Sequence, residues 1–388
     1  MQLKERENRG KEAASLKRRI IAFLTAALLM FPSNLAAAAA AEVQEPPREP
    51  VSSTGARVEQ IKSSDGLTTY EPEVTYEPDD YVTVIVELEA APVLHTVDGA
   101  VNTVNKSALL SQQKAVQSKI SRQVLGGAAL EVMDSYSVVV NGFSTKVPFG
   151  KLDEIRALSG VANAYVAPEF KVAPDMTASM TTFGGLENSS GYCGEGMVIA
   201  IVDSGLEITH SVFKDAPNSP ALTQTKVAEA VAKYDLAAEG KMAGVTANQL
   251  YRTAKVPFAF DYADNDLDVN PGSAGDHGVH VAGIAAANEG IAADVVGVAP
   301  QAQILAMKVF SSSGSNGATW DDILAAMEDA VRLGADVINL SLGATCGYSS
   351  PEGDEGVIST LATVVNAGVL TPGCLPELKW GIMSGESM

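Results

Sequence analysis

The stretch Gly275–Asp276–His277–Gly278–Val279–His280–Val281–Ala282–Gly283–Ile284 sets an imidazole at the mouth of a run of small, apolar, helix-compatible residues. A ring held between a polar turn and a packed body suits a group that must keep its orientation and exchange a proton near neutral pH. The Gly and Ala positions let such a helix approach its neighbours closely. His277 and His280 are three apart with no intervening Glu, so the helical zinc-peptidase pattern fails, and a purely structural histidine is the simpler competitor. A second chemical group stands upstream. Met197–Val198–Ile199–Ala200–Ile201–Val202 is a continuous apolar run, as for a parallel strand buried on both faces, and it ends in Asp203–Ser204–Gly205. Open α/β sheets place their chemistry at such strand ends.

The elements that must carry these groups follow from pattern. Gln303 to Phe310 reads as a strand, and Ser311 to Gly317 as a loop. Thr319 is placed to cap a helix from Trp320 to Leu333, with Asp321 and Asp322 in its first turn and Gly334 ending it. Asp336 to Gly343 is the next strand, which implies a parallel crossover. Residues 214–256 are mixed and partly helical, without an assignable role. Asp264–Asn265–Asp266–Leu267–Asp268–Val269–Asn270 offers alternating oxygens but fails as an EF-hand, having Val269 sixth and Gly275 twelfth. It is read as a solvated acidic turn, with calcium the ion it would take if it bound one. No cofactor is expected.

Upstream lies a smaller unit. Tyr81 to Leu88 reads as a strand, Asn105 to Val124 as an amphipathic helix, and Ser135 to Val140 as a second strand. Asn141–Gly142 turn chemistry leads to a third, Phe143 to Val147. A short helix from Phe149 to Leu158 and a strand from Val161 to Val166 follow. This β-α-β-β-α-β order is that of a ferredoxin-like α+β domain. Before it, 42–75 is a Pro-, Glu- and Ser-rich linker. Residues 1–41 carry a basic start, an apolar run from Ile20 to Phe31 and an Ala-rich cleavage region, the marks of a secretory signal peptide.

The formal charge of −20 disfavours nucleic acid and anionic membranes as partners. Cys193, Cys346 and Cys374 are too few for a disulfide scaffold, which fits an exported protein held by its core.

Three segments together resemble the subtilases, the subtilisin-like serine peptidases. They are Val198 to Gly205, His277 to Gly283 and Val337–Ile338–Asn339–Leu340–Ser341–Leu342–Gly343, in the family's order and structural settings. The surroundings, such as Lys255 to Asp264 and Gly317 to Asp322, are similar to cell-envelope proteinases of lactocepin type. The resemblance implies a parallel sheet with flanking helices at 173–388, incomplete as written, preceded at 76–172 by an inhibitory propeptide. It implies a secreted serine endopeptidase precursor acting on proteins or peptides. His277 would be the base, Asp203 its orienting carboxylate and Ser387 the nucleophile, while Ser341, Leu342 and Gly343 would pair with extended substrate. His280 matches a structural position.

The chain departs from the family in two places. Met383–Ser384–Gly385–Glu386–Ser387–Met388 agrees with Met-Ser-Gly-Thr-Ser-Met at five of six residues, but no helix follows. After Leu370, where the family runs into Ala-Gly-Asn with its oxyanion-binding Asn, this chain reads Thr371–Pro372–Gly373–Cys374–Leu375–Pro376–Glu377. Loss of one such donor costs about 10²–10³ in turnover, so little activity is expected. A non-catalytic secreted inhibitor built on the propeptide-like domain is the second reading, and a frameshift downstream of Leu370 a third.

Overall fold

The computed structural model describes residues 76–371, apart from 95, 98–99, 102–105, 173–191, 289–295, 314–316, 344–350 and 367. The expected signal peptide and linker, most of the polar stretch after Val172, and Ser387 lie outside these residues.

The smaller unit is a four-stranded antiparallel sheet of β1 (Tyr81–Leu88), β2 (Glu131–Tyr136), β3 (Gly142–Pro148) and β4 (Val161–Val166), in the order β2-β3-β1-β4. Helices α1 (Lys106–Lys119) and α2 (Leu152–Arg156) complete the ferredoxin-like succession expected from sequence. Val84, Val86, Phe143 and Ile120 form this module's own core. The alternate residues Ile85, Tyr136 and Tyr165 belong instead to the core of the larger unit. Both faces of the sheet are therefore covered, one by the module and one by the body.

Strand β2 stops at Tyr136 rather than running from Ser135 to Val140 as its β-branched residues suggest. The reason is a competing partner. The backbone N–H groups of Ser137, Val138 and Val139 all donate to the carboxylate of Glu328, on a distant helix, and so leave the ladder.

The body is built on a parallel sheet of β6 (Val198–Asp203), β7 (Phe258–Asp261), β8 (Gln303–Lys308) and β10 (Val337–Asn339), in the order β10-β6-β8-β7. Its faces feed two cores. Val198, Ala200, Val202, Leu305 and Met307 point to one; Ile201, Ile304 and Ala306 point to the other, against Ala282 and Ala286 of α6 (His277–Ala286). The stretch 214–256, unassigned from sequence, contains α3 (Gln224–Tyr234), α4 (Ala237–Lys241) and α5 (Ala247–Leu250). Helix α7 (Trp320–Leu333) covers the first core with Ile323, Leu324, Met327 and Ala330. Thr319 stands at its N-cap position, but its hydroxyl donates to Asp322 Oδ2 at 2.9 Å and accepts no helix N–H.

The expected strand 336–343 is divided. The chain leaves the main sheet after Asn339, and Leu342–Gly343 (β11) joins a second, three-stranded sheet. Its central member is β5 (Glu169–Val172), the tail of the small module, held antiparallel between β9 (Ala318–Thr319) and β11. Helix α8 (Pro351–Asn366) then leads to Leu370, which bridges Val337 in parallel and carries the main sheet one step further.

Candidate active site

Strand β6 delivers Asp203 to its C-terminal end, and α6 begins at His277 directly above it. The two side chains meet, with His277 Nδ1 at 2.8 Å from Asp203 Oδ1. Asp203 is 1% exposed and His277 18%, so the carboxylate is enclosed while the ring keeps one edge open to solvent. Against an ionised carboxylate, which can only accept, a neutral imidazole carries its proton on Nδ1 and its lone pair on Nε2. That is the tautomer a general base needs.

Local backbone chemistry holds the pair in register. Ser204 N–H donates to Asp203 Oδ1 at 2.6 Å. The Ser204 hydroxyl donates to the Gly275 carbonyl and accepts from Gly278 N–H, both at 3.0 Å, which ties the strand end to the helix start. Gly278 is there because nothing larger fits. A Cβ would stand 2.4 Å from the Gly205 carbonyl oxygen and 3.1 Å from Asp203 Cβ. Gly205 itself turns with φ +125° in the left-handed region that disfavours side chains. Asp203 Oδ2 is buried with no hydrogen-bond partner among the described residues, so the Oδ1 contacts alone fix the carboxylate.

His280, one turn further along the helix, is 49% exposed, and its Nε2 lies 3.4 Å from Asp276 Oδ2. It takes no part in the pair. In the acidic turn, Asp264 accepts from Ser311 Oγ and Ser312 N–H, and Asp268 accepts from Asn270 N–H and Nδ2. The bonds from Asn270 hold the Asp268 carboxyl below the usual range. Asp264 thus ties the turn to the loop after β8, and Asp268 serves the turn itself. A different acidic group converges elsewhere among the described residues, at Asp134, Asp321 and Asp322.

The strand expected to receive substrate, Ser341–Leu342–Gly343, is occupied by the chain itself. Leu342 pairs with Val172 and Gly343 with Lys171, while Ala318 pairs with Phe170 from the opposite side. The Phe170 ring is buried and lies 5.6 Å from that of Trp320. Ser341 Oγ donates to Asn339 Oδ1 at 2.9 Å.

Sequence reasoning did not find the residues that fasten the module down. Glu328 Oε1 accepts from Val138 and Val139 N–H at 2.6 Å each, Oε2 accepts from Ser137 N–H at 3.1 Å, and Arg332 pairs with the same carboxylate at 2.7 Å. Its neighbour Asp329 does the same within the body, accepting from Ala237 and Ala238 N–H and from the Tyr262 hydroxyl. A pair of acids buried in an otherwise apolar helical pattern was the available signal.

Residues 194–370 match the family model described as "Subtilase family". The chain is 34% identical over 300 residues to the PII-type proteinase of Lacticaseibacillus paracasei, covering 74% of this chain and 15% of that protein. It is 35% identical over 301 residues to the PI-type proteinase of Lactococcus lactis subsp. cremoris, with the same coverage. The chain thus spans about one-seventh of the length of these relatives. Among solved structures, fervidolysin from Fervidobacterium pennivorans aligns at 18% identity with a TM-score of 0.44, covering 78% of this chain and 40% of that one.

Proposed function

We propose, from the premise that residues 194–370 belong to the subtilase family, that this chain is a secreted serine endopeptidase precursor acting on protein or peptide substrates. The observation that carries the reading is the 2.8 Å contact between His277 Nδ1 and Asp203 Oδ1 at the rim of the parallel sheet. In this reading Ser387 Oγ attacks the scissile carbonyl and His277 Nε2 takes its proton. The proton then passes to the departing amine as the acyl-enzyme forms, and water repeats the sequence to release the acid. Asp203 holds the tautomer and stabilises the imidazolium. Ser341 to Gly343 would hold the substrate backbone as a strand.

Residues 76–172 act in this reading as an intramolecular inhibitor, supported by β5 lying in the groove beside β11. Secretion rests on the signal-like residues 1–41; no helix among the described residues is long and apolar enough to cross a membrane. Turnover is weak, because Thr371–Pro372–Gly373 stands where the family carries its oxyanion Asn.

A fluorophosphonate probe tests the catalytic part. Slow labelling at Ser387 is expected, abolished in Ser387→Ala and strongly reduced in His277→Ala. Equal labelling with and without His277 would refute the triad, and rapid stoichiometric labelling would refute the impairment. The β5 placement also favours a second reading, a non-catalytic inhibitor of an intact relative. That reading fails if residues 76–172 at micromolar concentration leave a full-length subtilase uninhibited.

A further inference from the structure

The seam between module and body buries more negative charge than its one ammonium balances. Asp134 on β2, and Asp321 and Asp322 at the start of α7, each bring a carboxylate oxygen within 4.8 Å of the others. Lys241, at the end of α4, lies 2.9 Å from Asp134 and 2.7 Å from Asp322. Asp134 and Asp321 are buried, and Asp321 Oδ1 has no hydrogen-bond partner among the described residues. The other groups facing the cluster are neutral: the Tyr136 hydroxyl donates to the Asp321 carbonyl and the Thr319 hydroxyl to Asp322. Further along α7, Glu328 and Asp329 are already matched by Arg332, backbone N–H groups and Tyr262. Full ionisation would leave three negative charges against one positive in a largely buried site. Like charges at this range do not all stay ionised. A metal would have to displace Lys241 from the same oxygens; a proton needs no room.

We propose that docking of the module takes up a proton from solvent onto this carboxylate cluster, so that the module's hold on the body tightens in acid and loosens as pH rises. Its regulatory meaning, control of how firmly β5 fills the groove, rests on reading the module as an inhibitor.

The sign follows from the carboxyl groups. Burial, with Asp321 adding to it and Lys241 opposing, raises Asp322 to about 7. Burial raises Asp134 as well, against the pull of Lys241. Lys241 would lose charge by burial alone, but Asp322 and Asp134 more than restore it, so it stays an ammonium throughout. An undocked aspartate returns to near 3.9. The docked form then binds more protons below neutrality, so docking strengthens as pH falls from about 7 towards about 4 and gains nothing beyond that. Asp322 alone accounts for a change of about 10²-fold in the docking equilibrium between pH 8 and pH 5.

The test is a carbon-13 NMR titration of the intact chain with labelled aspartate carboxyls, alongside amide-exchange protection at Ser137, Val138 and Val139. One cluster carboxyl should titrate near neutrality, and protection should fall about tenfold or more from pH 5 to pH 8. Asp322→Asn, which removes the group that titrates near neutrality, should flatten that fall. Three carboxyls titrating below about 5, or protection indifferent to pH, would overturn the proposal. So would calcium shifting the cluster signals at fixed pH, since a metal would then supply the missing charge. Neither readout involves peptidase inhibition, so failure of the inhibitor reading would show in the inhibition assay and leave this titration intact.

Discussion

Replacing Gly278 with Ala should separate the acid from the base while leaving both residues in the chain unchanged. The added methyl would stand 2.4 Å from the Gly205 carbonyl oxygen, 3.0 Å from its nitrogen and 3.1 Å from Asp203 Cβ. Ordinary contact begins at 3.4 Å, so the start of α6 has to retreat by about 1 Å. A shift of that size carries the 2.8 Å Nδ1···Oδ1 contact beyond hydrogen-bonding range. It also strains the Ser204 hydroxyl, whose bond from Gly278 N–H would lengthen with it. Overpacking of this kind costs about 1–3 kcal/mol, and in a body of this size each kcal/mol lowers Tm by about 2–4 °C. Proton NMR gives the local readout: the imidazole Nδ1–H, slowed in exchange by its bond to Asp203, should be visible in the parent chain and lost in the variant. Calorimetry gives the global one. A variant that keeps that proton signal and melts within about 1 °C of the parent would refute the argument that Gly278 is there for close approach.

Three further outcomes follow from the same geometry. Glu328→Ala strips three backbone donors and Arg332 of a buried carboxylate, and should cost about 3–5 kcal/mol in urea unfolding, with exchange protection at Ser137 to Val139 lost first; a cost under about 1 kcal/mol would show that the module is held elsewhere. Lys308→Met leaves Asp261 buried without its counter-ion, a loss of about 3–5 kcal/mol that adding Asp261→Leu should largely restore; a neutral single variant would contradict the fully buried pairing. Phe170→Ala empties the space beside Trp320 and, at up to about 3–5 kcal/mol for a buried ring, should open β5 to limited proteolysis while the parallel sheet persists; unchanged cleavage would mean the strand is held by backbone pairing alone.

The parts of the site legible in the sequence are those whose signals are local. An apolar run ending in Asp203 reads as a strand buried on both faces, and β6 is that strand. A histidine opening a run of Gly and Ala reads as a helix mouth, and α6 starts there. The small module was likewise readable because alternation and turn chemistry fix its order of elements without outside help. What escaped depends on distant partners. Strand β2 was placed too late in the chain because nothing near Ser137 announces that its N–H will be taken by a carboxylate on α7. The four residues of β5 carry no hairpin or helix signal, since both strands that flank it come from the other unit. Asp134, Lys241 and Asp322 look like solvated surface charges until tertiary packing encloses them.

The three-stranded sheet has one more consequence. Its two outer members come from segments on either side of α7, and β5 is the strand joining them. Withdraw it and two short edges are bared at once, each presenting open amides and carbonyls at the right spacing for any extended chain. A molecule freed of its module is therefore adhesive along this groove and should self-associate as concentration rises, unless some other peptide arrives to fill the gap.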